Sequence, residues 1–196
     1  MTDASLAGAS VESLFERSGA LLKGHFLLKS GRHAGRYLEK FLVLQHPAIG
    51  EELCRRFAEA LAPYRPTLVV GPTTGGVLLS FETARQLGDG VRAAFAEPLD
   101  PGGRGLRRGW RVAADERVVL VDDILTTGAS LVETVEAVRA AGVEPVAAAV
   151  IVDRSTAPVE LGFPLHALGR LEIPSWDAGD CELCAAGVPL VKPGSS

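Results

Sequence analysis

Cysteine is scarce in this chain, three residues in 196 (Cys54, Cys181 and Cys184). That excludes a disulfide-stapled framework and fits a reducing compartment. Long apolar runs are missing as well: the longest, residues 146–152, has seven members where a membrane-spanning helix needs about 20. No membrane partner is expected. Lys and Arg never occur more than two in a row, and 24 acids against 20 bases leave a net charge of −4. The electrostatic footprint of a nucleic-acid-binding protein is therefore lacking, and no nucleic-acid partner is expected. The opening MTDASLAGAS has neither a basic n-region nor an apolar h-region, so the expected location is cytoplasmic.

Glycine, by contrast, is plentiful, with 22 residues that cluster at the ends of apolar runs, where turns are made. Apolar residues reach 47%, enough for one real core, and the length fits a single domain. Val11, Leu14 and Phe15 begin an amphipathic stretch. Residues 24–43 mix short apolar pieces with glycines and basic residues, which suits short strands and turns in a small irregular subdomain. From 47 to 62 the apolar Ile49, Leu53, Phe57 and Leu61 fall four apart behind Pro47, which predicts a helix. Beyond it the pattern alternates. Apolar strands are predicted at 67–71, 91–96, 117–121 and 145–152, with helices reaching Leu87 and Ala141. Such a succession implies an α/β fold whose parallel sheet is covered on both faces, with ligands bound beyond the carboxyl ends of its strands. The tail from Leu171 lacks periodicity and reads as a packed extension or a frayed end.

Residues 118–130, VVLVDDILTTGAS, carry the most chemistry. A buried strand delivers Asp122 and Asp123 to its end, and Thr126, Thr127, Gly128, Ala129 and Ser130 open a helix. A helix start offers free N–H groups and a positive dipole end, and the hydroxyls add donors, so the segment suits a phosphate. Neither a Walker P-loop nor a well-placed dinucleotide fingerprint is present. Adjacent strand residues point to opposite faces, which argues against a shared-proton pair. At a strand end, however, both acids can turn to the vicinal hydroxyls of a ribose. Phosphate and diol together imply a ribose 5-phosphate.

This stretch resembles the phosphoribosyl-pyrophosphate (PRPP) motif of the type I phosphoribosyltransferases. LLKSGRHAGRYLEKF and IVDRS resemble segments of the orotate phosphoribosyltransferases within that family, and the ending CELCAAGVPLVKPGS is similar to the tail of a bacterial subgroup. The resemblance implies one phosphoribosyltransferase domain over residues 1–196. It consists of a central parallel sheet flanked by helices (core about 47–170) and a small hood (about 20–45 plus the C-terminal tail). It also implies Mg²⁺ bound mainly through PRPP rather than by protein side chains, and a homodimer.

PRPP would be held by Lys29, by Thr73, Thr74 and Gly75 of a diphosphate loop at 71–76, by Asp122 through Ser130 with Ile124 and Leu125 between, and by Arg107 and Arg108. Orotate would meet Arg154, Thr126, Lys29 and Tyr37; a guanidinium is the side chain best shaped to grip a carboxylate with two parallel bonds. Catalytic roles would fall to Asp122, Asp123 and Arg104. The sequence departs from well-known members at two places: residues 71–76 lack their Tyr-Lys pair, and residues 97–110 lack the lysines and histidine of their mobile loop. Arg104, near the tip among glycines, is expected to reach the departing diphosphate from a loop with few buried contacts. Two alternatives stay open at this point, a type I transferase for another base and a PRPP-sensing regulator.

Cys181 and Cys184 form a C-x-x-C, half of a zinc site, whose closure would need Cys54, His166 or a second subunit. The expectation is a buried thiol pair without metal. His25, His33 and His46 show no ligand spacing and are expected at surface or hinge positions.

Overall fold

A computed structural model describes residues 6–28 and 30–193. Ser10 caps the first helix, α1 (Val11–Arg17), by accepting the Ser13 N–H, which satisfies one of the amides a helix start leaves free. Two antiparallel strands, β1 (Leu21–Leu27) and β2 (His33–Leu38), lead through the short α2 (Lys40–Leu44) to α3 (Pro47–Leu61). The four-residue spacing of Ile49, Leu53, Phe57 and Leu61 puts all four on the buried face of α3. There follow β3 (Leu68–Pro72), α4 (Gly75–Leu87), β4 (Arg92–Pro98), β5 (Arg104–Gly105), β6 (Val118–Leu125) and α5 (Ala129–Ala140). The chain ends with β7 (Pro145–Asp153), β8 (Leu165–Arg170), β9 (Ser175–Trp176) and α6 (Glu182–Ala185).

Six strands form the main sheet in the order β5-β4-β3-β6-β7-β8. All neighbours run parallel except β5, which returns antiparallel to β4. The pleat sorts the central strands between two cores. Val69, Val119, Val121, Ala147, Ala149 and Ile151 meet α1, α3 and α4 on one face. Leu68, Val70, Val118, Leu120, Ala148 and Val150 meet Leu131, Val135 and Val138 of α5 on the other. This two-sided burial is why the strands read as unbroken apolar runs.

After β3 the chain crosses to β4 on one side, whereas β6 lies on the other. The order therefore reverses between β3 and β6, where open α/β sheets bind ligands. The β3–β6 pairing ends at Val70 and Leu120, while β6 stays on β7 as far as Leu125. The strand predicted to stop at 121 thus continues, and Asp122 and Asp123 sit inside it, on the stretch that β3 has left. β8 had no clear signal in the sequence, because its half-buried edge position removes the alternation that would have marked it.

A second sheet, β1-β2-β9, stands apart from the first. Arg32 ties β9 to it, donating to the Ser175 carbonyl at 2.6 Å and to Asp177 at 2.7 Å. Among the described residues the tail is packed rather than frayed: Val191 exchanges backbone bonds with Leu27 and His25, both 2.8 Å.

Candidate active site

The diphosphate-loop segment, residues 71–76, is shaped by close backbone approach. A Cβ on Gly71 would lie 2.4 Å from the Gly76 carbonyl oxygen, and one on Gly76 would lie 2.7 Å from the Gly71 carbonyl carbon. Only glycine fits at either position. Gly75 opens α4, and a Cβ there would lie 2.2 Å from Asp123 Oδ2. The loop after β3 and the acids of β6 are therefore in direct contact, with Thr73 and Thr74 more open beside them.

Asp122 and Asp123 are 5% and 3% exposed. Their carboxylates take different partners, as the strand pleat predicts. Ser130 Oγ donates to Asp122 Oδ2 at 2.8 Å, and the Asp123 N–H donates to Asp122 Oδ1 at 2.8 Å. Asp123 accepts from the Ile124 N–H at 2.8 Å and faces the Lys40 ammonium, 2.9 Å from Oδ2. Burial, reinforced by the neighbouring Asp123 charge, pushes Asp122 up to about 6. One ammonium against two carboxylates leaves the crevice acidic, ready for a ligand that brings donors or positive charge. Lys40 escaped the sequence reading because nothing local links it to an acid 83 positions away.

At the start of α5, Gly128 adopts φ +78, and a Cβ there would meet Val159 Cγ1 at 2.7 Å. Backbone conformation and Val159 thus explain this glycine without invoking a ligand. Ser130 is engaged by Asp122, which leaves Thr126 and Thr127 as the exposed hydroxyls beside the helix amides.

Arg154 follows β7, anchored by its N–H to the Leu125 carbonyl at 2.8 Å. The ion pair with Asp153 that its position suggests does not form, since Asp153 accepts from the Ser155 N–H at 2.8 Å and Oγ at 2.6 Å. Arg154 Nε is buried with no hydrogen-bond partner, and burial lowers the pKa of the guanidinium, with the Tyr37 hydroxyl opposing. Tyr37 in turn is raised by burial and by Glu39, against Arg154 and Lys40. A cavity of about 470 Å³ opens at Arg154, walled by Leu28, Arg170, Ile173 and Pro174. Arg170 and the 171–174 segment were missed because their relation to Arg154 is purely tertiary. Lys29 lies outside the described residues, directly after Leu28.

The 97–110 segment differs from expectation. It is a hairpin, with β5 paired to Glu97 and Pro98, and Leu106, Trp110 and Val112 pack against the second core. It is held at both ends rather than free of buried contacts. Arg104 is not a solvated tip residue: its side chain is 13% exposed, with Nη1 3.4 Å from the Thr73 carbonyl and hydroxyl oxygens and Nε 3.3 Å from Glu133. Arg107 and Arg108 are not brought into the crevice. Arg108 grips Glu97 with two bonds of 2.9 and 2.7 Å, and Arg107 is exposed.

The crevice thus gathers a glycine-rich loop, a buried acid pair, an open helix start and an unpaired arginine under a hood. Residues 43–163 match the phosphoribosyl transferase domain family. An orotate phosphoribosyltransferase of Pelotomaculum thermopropionicum is 46% identical over 94% of this chain and 96% of its own. One from Thermotoga maritima is 40% identical over 94% and 97%. Among solved structures, the Mycobacterium tuberculosis orotate phosphoribosyltransferase in complex with inorganic phosphate superposes with a TM-score of 0.69, at 26% identity, over 82% of this chain and 94% of that one. The Aeropyrum pernix enzyme gives a TM-score of 0.64 at 28% identity, over 81% and 92%.

Proposed function

The chain belongs to the phosphoribosyltransferase family, and within it to the orotate phosphoribosyltransferases, and from that premise we propose how its own residues carry out the transfer. The reaction joins orotate to the 5-phosphoribosyl group of PRPP, giving orotidine 5′-phosphate and pyrophosphate, a step of pyrimidine nucleotide synthesis. The observation that carries the residue assignment is the meeting of the 71–76 loop and the acid pair at the sheet's switch point.

The 5′-phosphate sits on the amides and hydroxyls of Thr126 and Thr127 at the start of α5. Asp122 and Asp123 accept from the ribose hydroxyls, and Lys40 holds the Asp123 carboxylate in place from 2.9 Å. The diphosphate lies on the backbone of Thr73, Thr74 and Gly75. Orotate occupies the cavity at Arg154 beneath Tyr37, where the unpaired guanidinium meets a planar, carboxylated ring. As the C1′–O bond breaks with oxocarbenium character and the orotate ring nitrogen attacks, negative charge collects on the departing diphosphate. Arg104 is placed beside Thr73 to stabilise it.

Hard carboxylate and phosphate oxygens are the donor set that Mg²⁺ prefers. The crevice's excess acidity supports a cation there, entering with the diphosphate. When bound, Mg²⁺ supplies charge neutralisation of the leaving group. The other requirement falls on positioning by the chain.

A spectrophotometric assay with orotate, PRPP and Mg²⁺ tests this reading. Turnover with orotate and none with adenine, guanine or uracil is expected; turnover with a purine instead would overturn it. Arg104→Ala is expected to lower kcat by about 10²-fold with a smaller change in PRPP affinity. A wild-type kcat would remove Arg104 from the mechanism.

Among the described residues no helix is long and apolar enough to cross a membrane. A cytoplasmic location accords with three unlinked thiols. A homodimer accords with the apolar surface that α2 and α4 leave open, where Phe81 is 67% and Leu78 54% exposed. Phe81→Lys is expected to shift sedimentation from dimer to monomer; an unchanged profile places the interface elsewhere.

A further inference from the structure

Both halves of the expectation for the C-x-x-C are altered by the fold. Cys54 lies in the core against the Leu79 carbonyl, and His166 bonds Tyr64, so neither approaches Cys181 or Cys184. His25 and His33 are not surface or hinge residues; both are buried, on β1 and β2, and face the two cysteines. One ligand atom from each of the four side chains lies within 4.8 Å of all the others.

Hydrogen bonds among the four side chains leave the two thiols without a strong partner. His25 Nδ1 lies 2.8 Å from the Val188 carbonyl, an acceptor, so that nitrogen carries a proton, and in the neutral ring Nε2 is the lone-pair nitrogen. Three groups converge on that single lone pair: His33 Nδ1 at 2.9 Å, Cys181 Sγ at 3.4 Å and Cys184 Sγ at 3.7 Å. Cys184 Sγ also lies 3.3 Å from His33 Nδ1. One in-plane lone pair accepts one good hydrogen bond.

A cation at the centre satisfies all four at once. With metal–nitrogen bonds of about 2.0–2.1 Å and metal–sulfur bonds of about 2.3 Å, the edges of a tetrahedron are roughly 3.3 Å between nitrogens and 3.5 Å between nitrogen and sulfur. Three of the four nitrogen–sulfur separations, 3.3, 3.4 and 3.7 Å, bracket that edge, the remaining ligand atoms lie within 4.8 Å of one another, and the nitrogen pair needs to open by a few tenths of an ångström. The His25–Val188 bond is the outer-shell partner that fixes the tautomer of a ligating imidazole.

We propose that His25, His33, Cys181 and Cys184 bind one zinc ion that clamps the C-terminal tail to the β1–β2 hairpin. Two thiolates and two imidazoles in tetrahedral array select zinc, and with every position filled by protein the site is structural. It joins positions 156 residues apart. It also straddles the turn between β1 and β2, so the metal holds the base of that turn. The core sheet does not depend on it.

The test uses the full chain, purified from zinc-replete growth with thiols reduced. About one zinc per chain is expected by elemental analysis. Exchange with Co²⁺ should give the strong visible bands of a tetrahedral ion and thiolate-to-cobalt charge transfer in the near ultraviolet. Cys184→Ser, at the exposed ligand, should lower bound zinc at least tenfold, and Cys54→Ser should leave it unchanged. Wild-type chain that carries no zinc and binds Co²⁺ without thiolate bands overturns the proposal, as does a Cys181–Cys184 disulfide in the purified protein. These readouts are independent of transferase activity.

Discussion

Arg154→Lys is expected to raise the KM for orotate about 10- to 100-fold while the KM for PRPP stays within about twofold. A charge-assisted hydrogen bond is worth about 1.5–3 kcal/mol, and 1.4 kcal/mol is tenfold in affinity. Lysine keeps the charge but loses the planar fork that makes two parallel bonds. The wild-type guanidinium is ready for a ligand: Nε is buried without a partner, and Asp153, the obvious counter-ion, is occupied by Ser155. A half-buried guanidinium whose Nε has no partner weakens the free protein, so Arg154→Met should abolish orotate binding and at the same time raise stability by about 1 kcal/mol. That opposition of signs separates a ligand-binding arginine from a structural one. Equal rises in both KM values, or a less stable Arg154→Met, would show that the side chain supports the fold instead.

The sheet was legible because its central strands are buried on both faces. Residues 118–121 and 146–152 therefore read as continuous apolar runs, and the helices between them as periodic ones. The acid pair and the helix start after it were legible because they lie within one stretch of thirteen positions. What escaped were relations between distant segments. Lys40 reaches Asp123 only because α2 docks under the switch point, and Arg104 reaches Thr73 only because β5 folds back on β4. His25 and His33 have no ligand spacing along the chain, since the spacing that matters runs across the β1–β2 hairpin and to the far terminus. Gly128 was readable as a glycine that something requires, but its cause, a positive φ facing Val159, is tertiary.

Asp122→Asn is expected to stabilise the free protein and to damage the enzyme. In the folded chain burial and the Asp123 charge raise Asp122 to about 6, above the value of about 3.9 for an unfolded aspartate. A raised folded value means that the favourable contribution is complete below about pH 4 and is lost as pH climbs through 6. Above pH 7 the ionised carboxylate therefore costs on the order of 2–3 kcal/mol. Asparagine cannot ionise, and it keeps both hydrogen bonds: its oxygen accepts the Asp123 N–H, and its amide donates to Ser130 Oγ after the hydroxyl turns. The variant should melt several degrees higher than wild type at pH 8, at about 2–4 °C per kcal/mol for a chain of this size. The advantage should shrink below pH 6 and vanish near pH 4. Activity should move the other way. An amide accepts a ribose hydroxyl more weakly than a carboxylate does, which is worth about 1.5–3 kcal/mol, or 10- to 100-fold in kcat/KM for PRPP. Melting curves from pH 4 to 8 and initial rates at pH 8 measure both effects on the same preparations. A variant that is less stable at pH 8 would mean that Asp122 anchors α5 through Ser130, and that its charge is not held in strain for the substrate.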